Sequence, residues 1–364
     1  VLAIVSEGPP PPELDDPNPY VRYGPRLAWW AAARANGLTH DRCVTLTREV
    51  AAGFHRTPFG RSEVLSEELG LDVWVKDETG DVAGSHKARH LVTILLHLRA
   101  LEELGLAPTV RAPLAIASCG NAAVAASTLA DRVGWPIDVF VPTWMDPAFG
   151  VLLDDLGAAC HRSVRRNDDP PGDPAVHRFR EAVAAGAIPF SVQGPENALC
   201  LDGGRTLGWE LVDDRPDRLF VQVGGGAFAS CVGAGLGPAT ALHAVQMEGC
   251  APLVRAWDLA ADVPDPEHHW AELMTPWNDP HSIADGILDD ETYDWLGVVA
   301  AMRASRGAPV VARERDVVEA HELAHRAGFR ASHTGVAGLA GLLATRELWS
   351  PGERIAVITS GVQR

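Results

Sequence analysis

Lysine is nearly absent from this chain. Of its 31 basic side chains only Lys76 and Lys87 are lysines, eleven residues apart, and the other 29 are arginines. A general bias toward arginine accounts for the scarcity, and it leaves any chemistry that needs a lysine amine with two candidates. A basic excess is missing too. The 48 acidic side chains give a formal net charge of −17, which argues against the electrostatic footprint of a nucleic-acid binder. The six cysteines contain no C-x-x-C pair, which excludes a cysteine zinc site and a disulfide framework and reads as reduced thiols. No apolar run approaches a membrane span, and the first, residues 1–5, lacks a basic flank and is too short for a signal peptide or an anchor. The expectation is a soluble, cytoplasmic protein that meets neither nucleic acid nor membrane.

What is present fits a large α/β protein. With 364 residues, 46% of them hydrophobic and 22% charged, the chain can bury a sizeable core. Residues 8–19 are rich in proline and acid and read as an extended arm. Apolar runs at 71–75, 114–117, 137–141, 219–223 and 355–358 read as strands, with helical segments at 88–104 and 122–130 between them. Strands and helices taking turns predict a parallel sheet covered on both faces, with ligands beyond the carboxyl ends of its strands. The stretch 165–174 reads as an exposed loop.

Four loops follow predicted strands. In the first, Gly84-Ser85-His86-Lys87 enters a helix with Ser85 as its N-cap, which puts Lys87 in the first turn. The positive end of the helix dipole disfavours a second positive charge there and so favours the neutral amine that Schiff-base chemistry needs. The second, Ser118-Cys119-Gly120-Asn121, opens a helix whose amides and Ser118 hydroxyl can hold a carboxylate. The third, Gly224-Gly225-Gly226-Ala227, lets consecutive amides approach a phosphate, and with neither lysine followed by Ser or Thr it is no Walker loop. The fourth ends in Thr359-Ser360-Gly361 and offers a hydroxyl to a ligand nitrogen.

In this order and spacing the four loops resemble the fold type II family of pyridoxal-phosphate enzymes, which includes serine and threonine dehydratases, threonine synthase, cysteine synthase and the tryptophan synthase β chain. The resemblance spans about residues 55–364 and is extended by Asp202 to Thr206, Ile283 to Gly286 and Thr334 to Gly338. It implies a two-lobed parallel-sheet sandwich, with 1–87 and 203–364 as the larger cofactor-binding lobe and 88–202 as a smaller, mobile substrate lobe. It implies pyridoxal 5'-phosphate carried on Lys87, with His86, Asn121, Gly224, Gly225, Gly226, Ala227 and Ser360 binding the cofactor. Ser118, Cys119, Gly120 and Asn121 would bind the amino-acid substrate, Ser360 would face the pyridine nitrogen, and the enzyme would be a homodimer. The activity implied is a dehydratase-like lyase that eliminates a β hydroxyl or activated hydroxyl via an aminoacrylate. The alternative is a β-replacement or threonine-synthase-like synthase. Two positions depart from the dehydratase pattern: Ala331-Ser332-His333-Thr334-Gly335 stands where dehydratases carry Glu-Pro-Ser-Gly-Ala, and Ala122 where they often carry His. His86 leans toward the tryptophan synthase β chain.

A rival reading comes from His321-Glu322-Leu323-Ala324-His325, a literal H-E-x-x-H, with Glu347 as a formal third zinc ligand of a metalloprotease. The plainer reading of 317–327 is an amphipathic helix packing Val318, Leu323 and Ala324. Trp29, Trp30 and Trp270 are expected to pack rather than cage a ligand, and His268 with His269 to lie in an exposed loop.

Overall fold

The computed structural model describes residues 10–170 and 172–363, so the apolar run at 1–5 lies outside it. Among the described residues ten strands occur: β1 (Phe59–Arg61), β2 (Asp72–Asp77), β3 (Leu114–Ala117), β4 (Ile137–Pro142), β5 (Ala159–Ser163), β6 (Ile188–Pro189), β7 (Arg218–Gln222), β8 (Ala241–Met247), β9 (Val310–Ala312) and β10 (Arg354–Thr359). They form two sheets, and the chain divides into two units, each built on one of them. The α/β class is the one expected.

The unit made of Thr57–His86 and Gly204–Arg364 holds the sheet β1-β2-β10-β7-β8-β9, parallel except for β1. β10 lies inside the sheet between β2 and β7. Its side chains alternate between two cores, as a strand covered on both faces requires. Ile355 and Val357 pack with Val73, Val75, Phe220 and the wholly apolar helix Ala337–Thr345, while Ala356 and Ile358 pack with Val232, Trp295 and Val298.

The other unit takes in 10–56 and Lys87–Gly203 and holds the parallel sheet β5-β4-β3-β6. The expectation that the N-terminal stretch joins the larger lobe is corrected here. Helices Ala28–Ala35 and His40–Val50 bury Trp29, Trp30, Leu46 and Val50, and both helices pack against helix Lys87–Glu103. The Tyr20 hydroxyl donates to the Arg89 carbonyl at 2.9 Å, and the Ala28 amide to the Asp202 carboxylate at 2.6 Å, which tie the stretch down. Residues 10–18 are irregular, as their prolines predict.

Three local expectations shift. The helix expected to start at Ser85 begins at Lys87, because Val82–Gly84 forms a 3-10 turn that ends with Gly84 at φ +72° and Ser85 is extended. Helix Glu314–Arg326 buries Leu323 and Ala324 as expected, but turns Val317 and Ala320 inward with them and leaves Val318 43% exposed. His268 and His269 are exposed, but within the short 3-10 turn Pro266–His269. Trp29 and Trp30 are buried and Trp270 packs edge-on against Trp295, as expected. No helix among the described residues is long and apolar enough to cross a membrane, and no disulfide joins any of the six cysteines.

Candidate active site

The residues singled out from the sequence fall into two groups, each at the carboxyl ends of parallel strands. In the six-stranded unit, β7 runs through Val223 into Gly224, Gly225 and Gly226, and helix Ala227–Leu236 follows. Gly226 is its N-cap at φ +92°, a left-handed conformation natural to glycine, and no side chain caps the helix. The loop lies flat on segment 287–294. A Cβ at Gly224 would strike the Asp289 carboxylate and the Ile287 Cα at 2.9 Å, one at Gly225 would press on the Tyr293 ring at 3.1 Å, and one at Gly226 would meet Thr292 at 2.7 Å. The Asp294 amide donates to the Gly225 carbonyl at 2.8 Å and holds the two segments together. Only glycine fits this track, whose amides open into a ten-residue helix: a cradle suited to a phosphate.

The backing segment is acidic. Burial, then Asp289 and Asp290, push the Tyr293 phenol up, so it stays protonated. Burial and Asp290 likewise raise the Glu291 carboxyl.

At the end of β10 stands Ser360, buried, its amide donating to the Gly335 carbonyl at 3.1 Å. Its Oγ accepts the His86 amide at 3.1 Å and lies 2.6 Å from His86 Nδ1. The His86 ring stacks on Phe228, with centroids 3.7 Å apart and planes 14° from parallel. Because Phe228 is the second residue of the helix that follows the glycines, His86, Ser360 and the glycine loop are joined in one constellation. Behind it the Thr359 hydroxyl and the Thr79 hydroxyl both donate to Asp77 Oδ1, at 3.1 and 2.7 Å.

In the four-stranded unit, Lys87 is the first residue of the 17-residue helix Lys87–Glu103. β3 leads into 118–120 and then helix Asn121–Arg132. The Ser118 amide donates to the Phe140 carbonyl of β4 at 3.1 Å, and Ser118 Oγ accepts the Gly120 amide at 3.3 Å. Gly120 is the N-cap, again with no side-chain cap, and Ser118, Cys119, Gly120 and Asn121 are all half-buried.

Lys76 is elsewhere. It lies fully buried on β2, its Nζ 2.5 Å from Glu210 Oε2 and 2.7 Å from the Thr57 carbonyl, in a buried ion pair. The metalloprotease reading is not assembled. His325 Nε2 lies 3.2 Å from the Ala331 carbonyl, a contact that needs a proton on that nitrogen and removes it as a ligand. The His321 ring stacks on His333, and Glu347 sits in an exposed 3-10 turn beside Arg346. Among the described residues no group of three or more His, Cys, Asp or Glu is placed to hold a metal ion.

Sequence reasoning missed Phe228 and the backing segment 287–294. Phe228 could have been suspected from its place just past the glycines. The segment carries no signal beyond its neighbour Asp285-Gly286.

A family profile described as "Pyridoxal-phosphate dependent enzyme" matches residues 50–361. Threonine synthase of Mycobacterium tuberculosis is 25% identical over 291 residues, covering 79% of this chain and 75% of that protein. L-threonine ammonia-lyase of Geobacter sulfurreducens is 30% identical over 173 residues, covering 47% of this chain and 40% of that one. Maize serine racemase shares the fold with a TM-score of 0.71 at 19% identity, covering 89% of this chain and 93% of that one. Threonine deaminase isoform 2 of Solanum lycopersicum follows with a TM-score of 0.69 at 17% identity, covering 90% and 91%.

Proposed function

Because the chain belongs to the pyridoxal-phosphate dependent enzyme family, with pyridoxal 5'-phosphate as its cofactor and an amino acid as its substrate, we propose that it is a lyase that removes a β hydroxyl, or an activated hydroxyl, from a serine- or threonine-like amino acid. The observation that carries this reading is the neutral, buried hydroxyl of Ser360 at the end of β10. The glycine track, which a single Cβ would block, fits the cofactor's phosphate.

Each part of the chain then has a task. When bound, the cofactor withdraws electrons from the substrate's α carbon and so acidifies the proton there. Lys87 would carry the cofactor at rest and, once the substrate's own amine has replaced its Nζ there, would take the α proton on the freed amine, which its place at a helix N-terminus keeps neutral and basic. The amides of 224–227 hold the phosphate, with His86 beside them. The Ser118 hydroxyl, with the amides of Cys119, Gly120 and Asn121, holds the substrate carboxylate, and the Asn121 amide hydrogen-bonds the cofactor's ring oxygen. A hydroxyl at Ser360 gives a positive ring nitrogen no ion pair, which favours prompt loss of the β substituent over long-lived charge at the α carbon. The reading includes a homodimer working in the cytoplasm.

A second reading, replacement of the β substituent by a bound nucleophile or a threonine-synthase-like reaction, draws support from alignment length: threonine synthases align over 79% of the chain, the ammonia-lyase over 47%. Titrating purified protein with candidate amino acids while following the cofactor's visible band decides between them. A band lost in Lys87→Ala, with ammonia and a keto acid released from substrate alone, is the result expected. Product formed only when a nucleophile is added supports the second reading, and a band that survives Lys87→Ala refutes both.

A further inference from the structure

Among the described residues Ser360 Oγ has two hydrogen-bond contacts, and both come from one residue. The first is fixed in sense: the His86 backbone N–H can only donate, so Oγ accepts it at 3.1 Å. The second, at 2.6 Å to His86 Nδ1, can run either way. If Nδ1 is bare, the Ser360 proton is used inside the protein and one lone pair remains for a ligand. If Nδ1 carries the proton, both lone pairs of Oγ are filled and the hydroxyl proton is left to point outward. The tautomer of His86 therefore decides whether Ser360 gives or takes a hydrogen bond.

The surroundings choose between these. Ser360 is 2% exposed, and among the described residues no carboxylate hydrogen-bonds its Oγ; the neighbouring Thr359 hydroxyl, with that of Thr79, donates to Asp77 Oδ1 instead. A protonated ring nitrogen placed against this hydroxyl would be a buried cation without a counter-charge, which is costly. The ring nitrogen is then an acceptor, Ser360 must donate to it, and His86 Nδ1 must carry its proton. The stack on Phe228 holds the imidazole plane in the orientation this requires.

We propose that His86 is a positioning residue for the cofactor's ring nitrogen: by donating from Nδ1 and from its own amide to Ser360 Oγ, it fixes the Ser360 hydroxyl as a donor to an unprotonated ring nitrogen. This rests on the functional reading above. Its chain-specific content is the pairing of two residues 274 positions apart, one of them peptide-bonded to Lys87. It gives His86 a task at the ring nitrogen as well as beside the phosphate.

The test uses histidine-labelled protein and pyridoxal 5'-phosphate itself. Nitrogen NMR of the wild-type protein loaded with cofactor should show His86 protonated at Nδ1, its resonances identified by their loss in His86→Asn. Asparagine places an amide N–H close to where Nδ1–H stood, and phenylalanine keeps the stack without the donor. Binding of the cofactor to the apoprotein should therefore weaken about tenfold in His86→Phe, the loss of one well-placed buried hydrogen bond, and recover to within about threefold of wild type in His86→Asn. A role in folding alone would lower the apoprotein's melting temperature in both variants and leave Nδ1 bare. Uptake with a bare Nδ1, or equal affinity in wild type and His86→Phe, overturns this inference and leaves the functional reading standing. Failure of the wild-type protein to form a Lys87-dependent band overturns both. The wild-type NMR measurement decides the matter if His86→Phe does not fold.

Discussion

Replacing Lys76 by methionine should cost far more stability than activity. Lys76 is fully buried on β2, between β1 and β10, and its Nζ meets Glu210 Oε2 at 2.5 Å and the Thr57 carbonyl at 2.7 Å. Methionine matches the length of the stem and removes the cation, which takes from Glu210, itself 1% exposed, the ammonium group at 2.5 Å. Removing one partner of a buried ion pair costs roughly 3–5 kcal/mol, a large part of the 5–15 kcal/mol that typically holds a domain together. Replacing both partners, as Lys76→Met with Glu210→Leu, removes both buried charges together and should recover most of the loss. Urea unfolding followed by tryptophan fluorescence gives the midpoints, and the cofactor's visible band reports Lys87 independently. The single variant should unfold far earlier yet keep the band. A single variant within 1 kcal/mol of wild type, or a double variant worse than the single, would refute this account.

Two further outcomes follow from the same geometry. Burial pushes His243 down to about 4, while its Nδ1 lies 3.2 Å from the Ala308 carbonyl and its Nε2 3.4 Å from Arg218 Nη1. The unfolded chain takes that proton near pH 6.5 and the folded one only near 4. Stability present above 6.5 is therefore lost as pH falls between those values, by about 3 kcal/mol in all. His243→Phe, which keeps the stack on Phe220, should flatten that part of the stability profile, and urea midpoints at pH 7 and 4.5 measure it. Gly224→Ala drives a methyl group into the Asp289 carboxylate and toward the Ile287 Cα at 2.9 Å, so the loop must move off its track. Cofactor affinity, read by fluorescence titration of the apoprotein, should fall at least about tenfold, and unchanged affinity would remove the loop from the phosphate site.

What the sequence discloses follows the solvent exposure of each element. The runs at 114–117, 137–141, 219–223 and 355–358 are continuous and apolar because their strands are covered on both faces, and each lies on an observed strand to within a residue or two. β8 carries His243 and Gln246 in mid-strand and reads as no strand at all. Both are tolerated inside because they find partners, Gln246 by accepting the Leu253 amide at 2.8 Å and donating to Thr292 at 3.1 Å, and no local pattern announces partners so far along the chain. β5 is an edge strand of alternating small and polar residues, so its burial signal is weak for the opposite reason. The active-site loops were legible as residue types in order, because backbone cradles and helix starts impose local requirements for glycine, serine and asparagine. Their wiring was not, since the contact of His86 with Ser360 and Phe228 is made by the packing of β10 and β7 in one sheet.

The scarcity of lysine meets the acidity of the chain at the glycine loop. A protein with a formal charge of −17 that must hold a phosphate can do so with cationic side chains or with backbone dipoles. The side chains that crowd the 224–226 backbone are Asp289, Thr292 and Tyr293, none of them cationic. The cradle consists instead of amides leading into a helix N-terminus, whose partial positive charge needs no basic residue and is unaffected by an arginine-rich composition. The three glycines serve that solution directly, because only a backbone without Cβ atoms can lie on the acidic segment behind it and still present its amides forward. The proposed phosphate site thus makes no demand on lysine. Of the two lysines the chain retains, Lys76 is committed to Glu210 inside the sheet, and Lys87 stands at a helix start for the chemistry that only an amine can perform.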